Sequence, residues 1–520
     1  MVCWSDAGRS GGGRGGDGNL RRVGQSVRSL APSGWSREMS RTPQVTIVGA
    51  GMAGSELALQ LARRGIAVRL HEMRPVRPSE AHQTEHFAEL VCSNSFRGDA
   101  LTNGVGLLKE EMRRAGSILM QIAEETAVPA GGALAVDRER FGARVTEVVN
   151  AEELIEVVRG EVTEIPGPEA GIFVVASGPL TAQPLAEKIT AMTGRQRLYF
   201  YDAVAPIVHA DSVDRSIAFA QSRYEKGSGD DYINCPMNKA EYYAFVEALR
   251  AAELTELHAF EEARFFEGCL PIEVMASRGD KVLAFGPMKP VGLEDPRTGR
   301  RPYAVVQLRM ENREGTSYNL VGFQTRMKQP DQGRVFRMIP GLEKAEFMRW
   351  GSVHRNTYVH GPEVFDARFA MKVAPHLRFA GQITGVEGYV ESQASGLLLA
   401  LFLAAELSGQ PLDLPPATTA LGALRRHVTG ELAIDAKAYH PTNIHFGMMP
   451  PVEEAKSGRS ARSDRREAVS HRALADLEAW LAPARSRGLL LQGNYRHPAL
   501  TEGLPLERLP GDRPLPTAHV

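Results

Sequence analysis

Residues 44–65, QVTIVGAGMAGSELALQLARRG, carry the reading that decides the fold. Gln44 to Val48 is a short apolar, β-branched run, the pattern of a strand buried in a parallel sheet. The turn Gly49-Ala50-Gly51-Met52-Ala53-Gly54 follows at once. Ser55 to Arg64 has apolar residues at helical spacing, and Gly65 stands where a helix C-cap glycine belongs. Ile66 to Leu70 reads as a second strand, with Glu72 at its end. The first glycine of such a turn permits the bend, the second lets backbone approach a pyrophosphate, and the third lets helix pack on strand. The helix N-terminus offers free N–H groups and partial positive charge to the phosphates. Glu72 lies where an acid would bind ribose hydroxyls. A bare glycine turn would be weak evidence. Strand, turn, helix, second strand and terminal acid in order predict a dinucleotide site built from Gly49, Ala50, Gly51, Met52, Ala53, Gly54 and Glu72.

Further along, Gly171 to Gly178 reads as another buried strand ending in small residues. Leu377 to Ala380 is a short strand running into Gly381-Gln382, then Gly385 and Gly388, then an apolar helix from about Ser392 to Ala405. Glycine-rich strand-to-helix turns thus occur near both ends of the folded region. The expected fold is α/β: a Rossmann-type domain assembled from both ends (44–193 and 359–412), with an α+β domain inserted at 194–358. The insertion shows strand-like runs at Tyr303 to Leu308 and Tyr318 to Phe323, and a helix expected over Pro236 to Leu249. Residues 413–520 read as a helical region and tail, with a basic, Ser-rich loop from Lys456 to Arg466. A second glycine turn at Gly381-Gln382 can reach a ribityl chain and flavin ring, which favours FAD over NAD; this step draws on flavoproteins in general.

The chain has 520 residues, too many for one ordinary core. Its net charge of -1 excludes a polycation, so any nucleic-acid contact must come from a local patch. No apolar run reads as long enough to cross a bilayer, so no membrane association is expected. The four cysteines, Cys3, Cys92, Cys235 and Cys269, form no C-x-x-C pair, which supports neither zinc knuckle nor disulfide framework. No metal site is expected, and scattered cysteines fit a reducing, cytoplasmic compartment. The first 43 residues are rich in Gly, Ser and Arg and cannot bury enough apolar surface to fold. Met39 is the expected true start of translation.

Several stretches beyond the first turn are more particular. They are ELVCSNSFR (Glu89–Arg97), NGVGLLKEEMRRAGSIL (Asn103–Leu119), YINCPMNKAEY (Tyr232–Tyr242), HRNTY (His354–Tyr358) and FAGQITGVEGYVESQASGLLLA (Phe379–Ala400). With these motifs the chain resembles the folate- and FAD-dependent tRNA (uracil-5-)-methyltransferases of bacteria, from Gln44 to about Gly447. The resemblance implies FAD as cofactor, methylenetetrahydrofolate as carbon donor and NAD(P)H as the source of electrons. It implies tRNA as substrate, with the T-loop uridine (position 54) converted to 5-methyluridine and no obligate protein partner. A related tRNA-modifying flavoprotein acts on the wobble uridine with a GTPase partner. That activity, a small-molecule flavin oxidoreductase and a catalytically silent tRNA-binding flavoprotein are the competing readings.

Uracil C5 is a poor nucleophile until a thiolate adds at C6, which calls for a cysteine of lowered pKa. Asn234-Cys235-Pro236 precedes a helical run, and proline suits a first helical turn, so Cys235 is expected at a helix N-terminus whose dipole favours thiolate. The resemblance makes Cys235 the nucleophile; otherwise it is a buried structural cysteine. Cys92 lies between Leu90-Val91 and Ser93-Asn94-Ser95, with Arg97 near. The resemblance puts it beside the flavin, as a base or by covalent capture; otherwise it packs a strand end. Cys269 reads as core. His354 and Arg355 are candidates for the folate, whose glutamate tail is anionic. Arg223, Lys226 and Lys239, and Arg459, Arg462, Arg465 and Arg466 in the late loop, are candidate RNA contacts, although such clusters are usually solvated surface.

Overall fold

The computed structural model describes residues 42–79, 81–193, 198–256, 270–432, 439–452 and 460–491. Cys3, Met39, Cys269 and Arg459 lie outside the described residues, as do the side chains of Arg355 and Arg462. In chain order the strands are β1 (Val45–Val48), β2 (Val68–Glu72), β3 (Ser95–Gly98), β4 (Ala127–Val128), β5 (Ala133–Val136), β6 (Ile155–Arg159), β7 (Ile172–Val175), β8 (Leu198–Val204) and β9 (Ile207–His209). They continue with β10 (Phe219–Ala220), β11 (Tyr232–Met237), β12 (Ala304–Met310), β13 (Ser317–Leu320), β14 (Phe347–Arg349), β15 (Ser352–Tyr358), β16 (Ala370–Met371) and β17 (Ala374–Phe379).

The first sheet runs β16-β17-β7-β1-β2-β6 and is parallel except for β16 at its edge. It joins strands from the two ends of the chain, because β17 pairs with β7 directly. The centre of this sheet is buried on both faces, Val45, Ile47 and Val174 on one and Val48 and Val175 on the other, as a strand covered on both sides requires. Two helices, Met52–Ala62 and Tyr389–Ser408, lie side by side on it. They approach so closely that a Cβ on Gly396 would fall 2.4 Å from the Ala53 carbonyl oxygen. The second of these helices corrects one expectation. It is long and apolar enough by composition to span a bilayer, but 89% of that window is buried inside the fold, so its apolarity serves the core.

Glu56 holds this helix layer together. It is fully buried and accepts hydrogen bonds from Ser117 Oγ, the Ile118 and Leu119 N–H groups, and the Gln60 and Gln393 side-chain amides. Burial pushes its carboxyl above the usual range, against the pull of those donors. Removing the acceptor strands several buried donors, each worth about 1–3 kcal/mol of desolvation. Glu56→Ala is therefore expected to lower unfolding free energy by about 3 kcal/mol or more, with Glu56→Gln costing less. Urea denaturation with unchanged slope checks this; an unchanged midpoint for Glu56→Ala would contradict it.

The inserted region forms a second, antiparallel sheet in the order β10-β11-β12-β13-β9-β14. Helix Lys239–Arg250 covers one face of it through Tyr242, Phe245, Val246 and Leu249. A two-stranded β8–β15 ribbon links the two sheets, and a small β3-β5-β4 sheet follows the Cys92 loop.

Two local expectations are corrected here. Pro236 does not open a helix: β11 continues through Met237, and the helix begins at Lys239 behind Asn238. Strand β10 pairs only as far as Asn234, so β11 is an edge on that side, where a missing N–H costs nothing. Asn238 and Glu241 then form a reciprocal capping box. The late basic stretch is likewise not wholly a loop, since Ser460–Arg466 belongs to the helix Ser460–Ser486.

Candidate functional site

The turn after β1 is built by its glycines. Gly49 has φ +102°, and a Cβ there would lie 2.5 Å from the Ala176 carbonyl oxygen. A Cβ on Gly54 would lie 1.8 Å from the Gly49 carbonyl oxygen, whereas Gly51 faces open space with nothing within 4 Å. That open side belongs to a crevice of about 1030 Å³, partly continuous with solvent, lined by Gly49, Gly51, Met52, Ala53, Glu72, Gly381 and Gln382. The crevice also takes in Ser177–Ala182 after β7, Arg74, His82, Glu89, Val91 and Tyr389. It lies at the carboxyl ends of the parallel strands, where open α/β sheets bind nucleotides. Ala50 is buried beneath it and gives its N–H to Glu72 Oε2 at 3.1 Å.

Glu72 also accepts from the Arg74 N–H (3.1 Å) and Arg74 Nε (2.9 Å). Burial raises its pKa, but Arg74 outweighs that and holds the carboxyl below its usual range. Arg74 reaches on to Glu89 Oε2 at 3.1 Å, so one buried guanidinium joins the end of β2 to the segment leading to Cys92. Across the crevice, the Gly381 N–H donates to Ser395 Oγ (2.7 Å), and Gln382 Nε2 donates to Glu387 Oε2 (2.8 Å). Burial, then Asp202, then Glu391 push the Glu387 carboxyl well above the ordinary carboxylate range. An ADP moiety fits this cradle: open backbone at Gly51, a helix N-terminus, and a fixed acid at Glu72. A flavin fits beyond it, where the second turn and Tyr389 face the same space.

Cys92 is half-buried between Val91 and Tyr389, both of which line the crevice, and is not itself among the lining residues. Its Sγ lies 3.0 Å from Tyr389 Oη, and its N–H donates to the same oxygen at 2.9 Å. Burial pushes the thiol up to about 11, with Asp202 adding to the shift and Tyr389 and Arg138 opposing it. The group is therefore a thiol at neutral pH. Iodoacetamide labelling of Cys92 in the tRNA-free protein is expected to be slow at pH 8. It should climb about tenfold per pH unit from there to pH 9.5 without levelling. A plateau below pH 9 would contradict this environment.

Cys235 lies elsewhere. In register, Tyr232, Asn234 and Pro236 share one face of β11 with Arg309, Gln307 and Val305, while Ile233, Cys235 and Met237 share the other with Leu308, Val306 and Ala304. The first face meets the Cys92 loop: Arg309 donates to Asn94 Oδ1 (2.9 Å) and Ser93 Oγ (2.8 Å). The second face is the apolar core under helix Lys239–Arg250, and Cys235 has no exposed surface there. Cys235 thus lies on the face of this sheet opposite the one that meets the Cys92 loop. The expected helix dipole does not act on Cys235, because the residue is inside a strand. Burial, with Glu343 adding to it, pushes its thiol up to about 12.

His354 lies on β15 opposite Asp202, with Nε2 2.9 Å from Ser352 Oγ, and Arg355 sits opposite Tyr201. Strand β15 borders the crevice further on, where the Thr357 N–H donates to Pro179 O and the Val359 N–H to Ile383 O. Lys239 and Lys226 are exposed; Arg223 is tied down by Gln307 Oε1 and Val291 O, each at 2.8 Å. Arg465 and Arg466 are exposed near the start of the last helix, and the structure brings none of them into the crevice. Among the described residues no group of three or more His, Cys, Asp or Glu is placed to hold a metal ion.

Sequence reasoning missed Arg74, Glu89, Glu387 and Tyr389. Glu89, Glu387 and Tyr389 lie inside the motifs quoted for the resemblance, so the signal was present without a role attached. Arg74 carried none, since its part depends on two carboxylates meeting in space.

Comparison with known proteins agrees on the family and on the fold. The family model described as "Glucose inhibited division protein A" matches residues 44–411. A protein of Geobacter sulfurreducens named methylenetetrahydrofolate--tRNA-(uracil-5-)-methyltransferase TrmFO is 56% identical over 441 residues, which cover 85% of this chain and 99% of that one. A protein of the same name from Anaeromyxobacter dehalogenans is 55% identical over 442 residues, covering 85% and 96%. Two crystal forms of Aquifex aeolicus GidA superpose with TM-scores of 0.61 and 0.62 at 16% and 15% identity. They cover 86% of this chain and 74% and 76% of theirs, a likeness of fold.

Proposed function

The chain belongs to the TrmFO family of methylenetetrahydrofolate--tRNA-(uracil-5-)-methyltransferases, and on that premise we propose how its residues share the reaction. The activity is folate-dependent methylation of uracil C5 in tRNA, with FAD as cofactor and methylenetetrahydrofolate as carbon donor. The position methylated is the T-loop uridine 54, NAD(P)H supplies the electrons, and the enzyme works in the cytoplasm without an obligate protein partner. The observation that carries this reading is identity above half over essentially the whole length of the named relatives.

When bound, FAD supplies the reducing electrons that turn a one-carbon unit into a methyl group. Gly49 to Gly54 and the helix behind them would hold its pyrophosphate, Glu72 its ribose, and Gly381 and Gln382 its ribityl side. Cys92, a protonated thiol held by Tyr389 just behind the crevice lining, serves to hold or move a proton for the reacting carbon. Glu387, held toward its neutral form, can give Gln382 a fixed partner and offer a second proton. His354 and Arg355 are assigned to the folate, and Lys239 to the RNA. Cys235 reacts after tRNA has displaced β11, because the thiol cannot reach solvent otherwise. It gives its proton to solvent, its sulfur bonds to uracil C6 as the C5=C6 π electrons move to the C4 oxygen, and loss of the C5 proton after carbon transfer expels the sulfur.

The test is nucleoside mass analysis of uridine-containing tRNA after incubation with purified protein. 5-Methyluridine is expected only when methylenetetrahydrofolate and NAD(P)H are both supplied. A carboxymethylaminomethyl product, or none, would overturn the reading. The wobble-uridine alternative has no support from the relatives' names.

A further inference from the structure

Tyr224 and Glu225 are consecutive non-glycine residues in the left-handed region, at φ 58° and 55°. Such conformations survive only where neighbours over-determine them, and they concentrate at ligand-binding positions. The loop is over-determined here. The Ser222 N–H donates to Gly229 O (2.6 Å), the Tyr224 N–H donates to Gly292 O (3.2 Å), and Arg223 donates to Val291 O and Gln307. The outcome is the placement of one ring. A Cβ built on Gly292 would lie 3.1 Å from Cε1, Cε2 and Cζ of Tyr224, so the ring lies flat against that glycine. Its other face is open, and the residue is 66% exposed. A tyrosine with one face seated and one face in water, held by strained backbone, is costly to build and contributes nothing to the core.

Its surroundings indicate what would use it. Lys226 and Lys289 are exposed on the two segments that hold the ring, and among the described residues neither has a carboxylate partner within 4 Å. The loop also touches the flavin-binding half. Gly131 N–H donates to Asp231 Oδ2 (2.5 Å), and Tyr232 Oη donates to Ala130 O (3.1 Å). That 130–132 turn leads into β5, which pairs with β3, and β3 begins three residues after Cys92. The loop that carries the ring is therefore fastened, at Asp231 and Tyr232, across the seam between the two halves.

Single-stranded bases are recognised by stacking on exposed aromatic rings, with lysines on the adjacent phosphates. We propose that Tyr224 is the stacking platform for an unstacked nucleobase of the tRNA, next to the uridine that leaves its loop, with Lys226 and Lys289 on the flanking phosphates. This rests on the tRNA reading above. Glu225 and Glu294 are exposed at the same rim, so the ring face rather than bulk charge supplies the recognition.

The discriminating variant is Tyr224→Gly, which removes the ring and the backbone strain together. Its melting temperature is expected to hold or rise, and flavin content and NAD(P)H oxidation should match the parent. Its KM for tRNA is expected to rise by about tenfold or more with kcat little changed. Tyr224→Phe keeps the ring face and should stay near the parent. A parental tRNA KM for Tyr224→Gly, or an equal loss in Tyr224→Phe, overturns the proposal. If the parent makes no 5-methyluridine, the methyltransferase reading is what fails. Fluorescence anisotropy with labelled tRNA then still reads the platform: weaker binding by Tyr224→Gly than by the parent supports it, and equal binding overturns it.

Discussion

Gly54→Val is expected to give a protein without flavin. The first side-chain carbon alone would lie 1.8 Å from the Gly49 carbonyl oxygen and 3.4 Å from Ala176 Cβ. Backbone cannot yield there as a flexible side chain could, because Gly49 is itself pressed against Ala176 and Ser177. The helix must therefore move away from the turn, taking its N–H groups off the pyrophosphate. Overpacking of about 1–3 kcal/mol, felt at the binding surface, corresponds to FAD affinity lower by about ten- to hundredfold. Gly51→Ala is the matching control. Nothing lies within 4 Å of its added carbon, so the fold should be untouched while the methyl occupies the space a phosphate would use. The readout is the ratio of flavin absorbance to protein after gel filtration, together with the melting temperature of the flavin-free form. Parental flavin content in Gly54→Val would show that this turn is not the cofactor seat.

The second large effect concerns the two thiols. Cys92→Ala and Cys235→Ala are each expected to lower tRNA methylation by about 10²–10⁴-fold while leaving FAD bound. They should differ in how they respond to substrate. Without tRNA, Cys235 should resist iodoacetamide at pH 8, since it has no exposed surface and its thiol is pushed up to about 12. With tRNA bound, its labelling should accelerate at least tenfold, because attack on the pyrimidine requires the sulfur to leave the core. Peptide mass analysis of the labelled protein reads both sites at once. Full activity of Cys235→Ala would reduce this residue to core packing, and protection unchanged by tRNA would remove the proposed displacement of β11.

The nucleotide half was legible because its rules are local. A buried strand, three glycines at fixed spacing and an acid at the end of the next strand each follow from backbone sterics and helix electrostatics. The second glycine turn pointed to a domain assembled from both ends; which strands meet there, β17 and β7, is read only from the structure. Pro236 was misread for a reason of the opposite kind. Whether a proline ends a strand or sits within one depends on what pairs with its N–H side, and that is settled by where β10 stops. The orientation of Cys235 hung on the same fact, since register along β11 decides which face each side chain takes. Arg74 and Tyr224 gave no sequence signal. One works by joining Glu72 and Glu89, and the other by a backbone conformation that no residue type announces.

The hairpin between β12 and β13 ties these threads together. Arg309 grips Ser93 and Asn94, the Met310 carbonyl accepts from Asn94 Nδ2, and Glu311 holds Arg138, whose guanidinium also donates to the Leu90 carbonyl. The strand that buries one sulfur is therefore fastened, through its neighbour, to the residues on either side of the other. On the displacement proposed for β11, exposure of Cys235 would therefore pull, through β12, on the segment that carries Cys92.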